Sequence, residues 1–352
     1  MSSILKQTTL RENPFFIKDI DKISKIKIEC RKPSIIEFEN GNTTESFCLK
    51  CTDTPCFKFS EKELKSDIFP DFSYQKTNHT CPTEAISIDS KTAQPTIDPQ
   101  KCISCGICIY RCPTKSIYFD KHSATIHTLN SHIGNEYYTE TTIEYFNKNN
   151  YNLSKIPIEG IIIPESDEIL NTVYTKINQS LKNNHILPNT LVRNTLITLG
   201  SNYLATRIGD NNFRMDGIVC NPKRIGLCEV EFGNDLLDSP RNILDDIAVI
   251  SSRYSLKYTD LNCFIISLEL PNKRSEYWRV INDINNVLNI QISSLSIGAL
   301  LILLWNLKPI DICNHTFYAD YKNLQIRTYL EELLERKINI SEGYCSILEV
   351  NK

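Results

Sequence analysis

Eight of the chain's fourteen cysteines lie between Cys48 and Cys112. They run Cys48-x2-Cys51-x4-Cys56, then Cys81-Pro82, then Cys102-x2-Cys105-x2-Cys108-x3-Cys112-Pro113. A disulfide framework would require an oxidising compartment. The N-terminus, Met1-Ser2-Ser3-Ile4-Leu5-Lys6-Gln7, has no apolar stretch of signal-peptide type. The expectation is therefore a cytoplasmic protein whose clustered thiols stay reduced and bind metal. Four-cysteine zinc sites are usually two separated Cys-x2-Cys pairs. Three cysteines in a Cys-x2-Cys-x2-Cys row, followed by Cys-Pro, fit an iron–sulfur cubane better. The row wraps a loop round one cluster face, and the fourth cysteine opens a helix and points away. Gly106 allows close approach of the backbone, and Pro113 suits a first helical position. Cys30, Cys220, Cys228, Cys263, Cys313 and Cys345 stand singly and read as small buried hydrophobes.

The cysteine region contains a repeat. Cys81-Pro82-Thr83-Glu84-Ala85-Ile86-Ser87-Ile88-Asp89 matches Cys112-Pro113-Thr114-Lys115-Ser116-Ile117-Tyr118-Phe119-Asp120. Each half gives Cys-Pro-Thr, a helical turn and a strand, so the pair should form one pseudo-symmetric domain. On these residues the region resembles the bacterial dicluster ferredoxins. The resemblance implies two [4Fe–4S] clusters with crossed fourth ligands: Cys48, Cys51, Cys56 and Cys112 for one, Cys102, Cys105, Cys108 and Cys81 for the other. The stretch Phe57–Thr80 before the fourth cysteine of the first motif is longer than in small ferredoxins.

A second set of chemistry-bearing residues is acidic. The stretch from Leu191 to about Ile208 reads as a helix. Phe213–Cys220 reads as a strand carrying Asp216. After the turn Asn221-Pro222-Lys223-Arg224, a strand Ile225–Phe232 puts Glu229 and Glu231 on one face and Cys228, Val230 and Phe232 on the other. Ser239 as N-cap with Pro240 at N1 opens a helix with Ile243, Leu244, Ile247, Ile250 and Tyr254 on one side. A buried strand Cys263–Leu268 and a helix from about Ser275 to Val287 follow. This α-β-β-α-β order, with Asp on one strand and Glu-x-Glu on the next, resembles the PD-(D/E)XK restriction-endonuclease-like fold. The resemblance implies that Asp216 and Glu229 bind Mg²⁺ and that Glu231 takes the position usually held by Lys. Carboxylates on neighbouring strands suit Mg²⁺, which would acidify a bound water for phosphodiester cleavage. The preceding helix offers no Asp or Glu from Leu191 to Ile208. Lys223, Arg241, Arg253 and Lys257 could meet phosphates.

The elements that must hold these groups fall into five segments. Residues 1–45 form an N-terminal strand pair, Ile26–Glu29 and Ser34–Phe38, with a turn at Glu39–Asn42. Residues 46–125 form the cluster domain. Residues 126–185 are a polar connection with an amphipathic helix Glu168–Leu181. Residues 186–310 form the endonuclease-like core. Residues 311–352 supply a last helix, about Tyr321 to Lys337, and a strand. The fold class is α+β: an N-terminal ferredoxin-like dicluster domain and a C-terminal α/β restriction-endonuclease-like domain. At 41% hydrophobic and 23% charged, with net charge −3, the composition is that of an ordinary globular protein. The apolar run Ile297–Trp305 is too short to span a bilayer, so no membrane partner is expected. Two functions follow: an iron–sulfur, Mg²⁺-dependent nuclease acting on DNA in restriction or defence, or a ferredoxin-type electron-transfer protein whose C-terminal half docks a redox partner protein.

Overall fold

The structure is a computed structural model. It describes residues 36–37, 43–44, 54–65, 69, 72, 77–88, 95–112, 117–128, 163–205, 215–220, 224–306, 308–313, 319 and 325–350. Two compact units emerge. The first comprises residues 1–59, 79–164 and 172–180; the second comprises 60–78, 165–171 and 181–352.

The first unit is built from short hairpins. Strand β1 (Ile36–Glu37) pairs antiparallel with β2 (Thr43–Thr44). The expected turn at Glu39–Asn42 lies outside the described residues, and the partner of Ile36–Glu37 follows that stretch instead of preceding it. Ile26–Glu29 lies outside the described residues. The repeat appears as two equivalent hairpins: β3 (Ile86–Ile88) with β4 (Pro95–Ile97), and β5 (Ile117–Asp120) with β6 (Thr125–Thr128). Between them helix α1 (Ile107–Arg111) starts at Gly106, whose φ of 85° is left-handed. Each hairpin turns apolar residues inward, including Ile86, Ile117, Phe119 and Ile126. Helix α2 (Asp167–Leu181) contributes residues 172–180 to this unit, with Val173, Tyr174 and Ile177 buried.

Among the described residues the second unit is a five-stranded mixed sheet, ordered from one edge as Ile292–Ser296 (β11), Leu261–Ser267 (β10), Ile225–Glu231 (β9), Gly217–Cys220 (β8) and Asn202–Ala205 (β7). Helix α3 (Leu187–Thr198) leads into β7 (Asn202–Ala205), and β8 (Gly217–Cys220) and β9 (Ile225–Glu231) continue an antiparallel meander. Helix α4 (Ser239–Tyr254) then crosses to β10 (Leu261–Ser267), parallel to β9. Helix α5 (Glu276–Leu288) crosses to β11 (Ile292–Ser296), parallel to β10. The single helix expected from Leu191 to about Ile208 is thus a helix and a strand. Gly200, at φ 104°, breaks it. Its N–H donates to the Ile197 carbonyl, and that of Ser201 donates to Leu196 at 3.0 Å, a Schellman closure of the helix. The resulting order is α-β-β-β-α-β, one strand more than expected.

Burial follows the connections. Strand β10, flanked on both edges and covered by crossover helices, is buried at every position. Ile297–Trp305 is a helix (α6), buried along its whole length, as its all-apolar sequence requires. Ser296 caps it, accepting from Ala299 N at 3.1 Å and donating to the Ile347 carbonyl. Helix α4 begins at Ser239 with Asp238 as its N-cap, so Ser239 is not the cap residue expected. A last helix α7 (Ile326–Leu334) buries Ile326, Leu330 and Leu334. The longest described helix is α4, and among the described residues no helix is long and apolar enough to cross a membrane.

Candidate iron–sulfur site and a buried carboxylate cluster

In the first unit, Cys81, Cys102, Cys105 and Cys108 line one pocket, together with Pro82, Ala85, Ile86, Ile103, Ile107 and Ile126. Local structure explains the convergence. Cys81 precedes β3. Cys102 and Cys105 lie on the loop entering α1, and Cys108 sits in the helix's first turn. The cysteines are buried except Cys81, which is half-buried and accepts an N–H bond from Ala85 at 3.2 Å. Burial raises the Cys102 thiol; the Ser104 N–H bond opposes this, and the neighbouring Cys81 adds to it. Burial and the surrounding cysteines push Cys105 and Cys108 up further. Four thiolates cannot share this apolar pocket without positive charge to offset them. Cluster iron supplies that charge, and a thiol donor set with N–H bonds to sulfur is the chemistry a [4Fe–4S] cubane uses. Among the described residues, no three His, Cys, Asp or Glu side chains close on a point where one ion could sit. A cubane does not need that, because each thiolate binds its own iron corner, whereas zinc needs every sulfur about 2.3 Å from a single centre.

Of the other expected ligand set, Cys56 and Cys112 are buried in the same unit; Cys48 and Cys51 lie outside the described residues. The carbonyl of Pro55, next to Cys56, accepts from Thr80 Oγ1 at 2.9 Å and from Arg111 Nε at 2.7 Å. That clamp ties the Cys56 segment to residues beside Cys81 and Cys112. The Arg111 guanidinium is fully buried and lies 4.0 Å over the Phe59 ring.

The second unit brings the expected acidic residues together and adds one. Asp216 immediately precedes β8, and Glu229 and Glu231 share a face of β9. Asp246, from α4, joins them electrostatically. Burial raises Asp216, against bonds from Val230 N at 2.8 Å and Asn189 Nδ2 at 2.6 Å. Burial first, and Asp216 second, lift Glu229 to about 8 and Asp246 to about 7. Asn242 Nδ2 donates to Glu229 Oε1 at 3.1 Å, and Glu231 accepts from Gly233 N. Gly217 makes the packing beside Asp216 feasible: a Cβ there would fall 2.1 Å from the Tyr203 ring. Asp216 and Glu229, expected to bind one divalent ion, feel each other's charge, and among the described residues no three His, Cys, Asp or Glu side chains form a metal-holding group. The oxygens of Asp216 are turned to a helix amide and a strand N–H instead. Arg241, expected to be available to phosphates, is paired with Asp238 at 3.1 Å and Glu276 at 3.5 Å. Lys223 lies outside the described residues.

Asn189, Asn242 and Asp246 went unread in the sequence. Asp246 had a signal: it interrupts the Ile243–Ile247–Ile250 stripe as a charged residue on the buried face. Of the single cysteines, Cys220, Cys228, Cys263 and Cys313 are buried as expected, and Cys345 is half-exposed.

Fold and pocket together make the first unit a domain of paired hairpins with a cysteine-lined pocket. Residues 78–116 match the family model of the 4Fe–4S dicluster domain, a span that includes Cys81, Cys102, Cys105, Cys108 and Cys112. The chain is also similar to the polyferredoxin-like subunit of an aliphatic sulfonate oxidoreductase from Pyrococcus furiosus, at 29% identity over 87 residues. That alignment takes in 25% of this chain and 38% of the relative, so the chain spans well under half of that protein's length. Residues 78–116 carry a [4Fe–4S] dicluster domain.

Proposed function

We propose that the chain is a ferredoxin-type electron-transfer protein that passes single electrons between its two clusters and a separate redox partner protein. One cluster is held by Cys81, Cys102, Cys105 and Cys108, and the other by Cys48, Cys51, Cys56 and Cys112. The observation that carries this is the pocket lined by Cys81 and all three cysteines of the Cys102–Cys108 row. When bound, the clusters supply the one-electron chemistry. The chain's own residues exclude water with the isoleucines of the pocket, orient the thiols through backbone N–H bonds and set the local charge. The test is anaerobic reduction with dithionite followed by mixing with oxidised cytochrome c. Reoxidation of the clusters with matching cytochrome reduction is expected. Reduced clusters that pass no electrons to any small protein or viologen acceptor would reject the reading.

A second reading keeps the C-terminal sheet as a Mg²⁺-dependent nuclease acting on DNA. It is favoured by the α-β-β-β-α-β order and by the meeting of Asp216, Glu229 and Glu231 with Asp246. In it Asp216 and Glu229 bind the ion and Glu231 stands beside the attacking water. It requires the Asn189 and Val230 bonds to Asp216 to give way when metal enters. Mg²⁺-dependent nicking of plasmid DNA, abolished in Asp216→Ala, would establish it; no nicking by wild type would exclude it.

A further inference from the structure

We propose that Lys176 is a tuning residue for the cluster held by Cys81, Cys102, Cys105 and Cys108: a positive charge, fixed at the back of the cysteine loop, that raises the cluster's reduction potential. The inference rests on the cluster reading above and concerns only residues of the first unit.

Lys176 belongs to α2, far in sequence from the cysteines. Its Nζ donates to Ser104 Oγ at 2.8 Å and to the Ala124 carbonyl at 3.0 Å. Ser104 lies inside the Cys102–Cys105 loop, is wholly buried and itself donates to the Ala124 carbonyl at 2.7 Å. Ser104 and Ala124 both have left-handed backbones, at φ 59° and 47°. A left-handed backbone at a residue other than glycine is strained and persists only where its surroundings hold it. The three-way bond among Lys176, Ser104 and Ala124 is that hold, and it fixes the ammonium next to the loop. Cys102 and Lys176 feel each other's charge: Lys176 favours the Cys102 thiolate, and the thiolate opposes the effect of burial on Lys176.

The sign follows from charge alone. Reduction adds one electron, so the cluster and its thiolates become more negative by one. A nearby fixed cation stabilises the reduced form more than the oxidised form, because Coulomb attraction scales with the cluster's charge. Outer-shell groups of this kind are among the levers that set cluster potentials. Both hydrogen-bond partners of Lys176 are neutral acceptors, so neither cancels its charge.

The experiment uses the full chain, purified anaerobically, with dithionite titration of each cluster followed by EPR. Lys176→Met should weaken reduction of one cluster by about tenfold, which is about 59 mV for one electron, and leave the other unchanged. Lys176→Arg should retain the wild-type value, and Ser104→Ala, which loosens the ammonium, should shift the same cluster by a smaller factor in the same direction. Both clusters present in Lys176→Met with neither potential moved would overturn the proposal. So would loss of that cluster in Lys176→Met and Ser104→Ala alike, which would make Lys176 a brace. If Lys176→Met alone fails to load, Lys176→Gln replaces it, and an unshifted potential there overturns the proposal equally. A wild-type protein that binds no iron would instead defeat the cluster reading beneath it.

Discussion

The two units solve the burial of charge in opposite ways. In the first, thiols converge in a pocket lined by isoleucine, where burial favours the protonated form and thiolates need bound iron to offset their charge. In the second, carboxylates converge and are contained by amides and by retained protons: Asn189 and Asn242 donate to them, and burial holds Glu229 and Asp246 near neutral pH values. The contrast extends to what holds each unit. The second has β10 and α6 buried throughout, a core that stands without cofactor. Among the described residues, the first has hairpin strands of two to four residues, a five-residue helix and residues 172–180 of α2, a small core that its clusters should help to hold.

The largest effect should come from removing iron. Chelation or oxidation of the clusters should strip hydrogen-exchange protection from residues near 95–128 while β9, β10 and α6 stay protected. Equal loss in both units would show one cooperative structure and erase the contrast. Next in size, Cys105→Ala should reduce iron from about eight atoms to about four. Retention of all eight would mean that Cys105 is no ligand.

In the sheet, Ile265→Ala should cost about 2–5 kcal/mol, since Ile265 is fully buried in β10, and cluster absorbance should survive at temperatures where the sheet is still folded. A loss under 1 kcal/mol would mean that the core is looser than its burial implies.

The smallest effect is on pH dependence. The folded carboxyls of Glu229 and Asp246 hold protons that the unfolded chain releases above about pH 4–4.5. Their contribution to stability is complete below that value and is lost as pH rises through about 7 to 8. The urea midpoint of the metal-free sheet should therefore fall between about pH 5 and about pH 8.5, and Glu229→Gln should flatten part of the fall. A midpoint that rises over this range would contradict the buried-carboxyl picture. Recovery on adding Mg²⁺ would sharpen the second functional reading.

How much of this was legible in sequence depended on how local the rule is. The Cys102–Cys108 row is read by spacing alone, because each ligand is fixed by its immediate neighbours. Glu229 and Glu231 were placed on one face by strand period. The break after Thr198 was also local: Gly200 supplied the left-handed residue that ends a helix, but the apolar Leu199 and Tyr203-Leu204 on either side masked it as continued helix. Asp246 is marked in sequence only as a charge on an apolar helix face, and Lys176 carries no such mark. The partners of both come from distant elements, which the sequence of a helix does not name.

A cysteine unit that carries electrons must first hold its iron–sulfur clusters. The most direct measurement is iron and acid-labile sulfide content of the anaerobically purified chain, with EPR after dithionite reduction. The expected result is about eight iron and eight sulfide per chain and signals from two reduced [4Fe–4S] clusters. A colourless protein with stoichiometric zinc and no labile sulfide would contradict it.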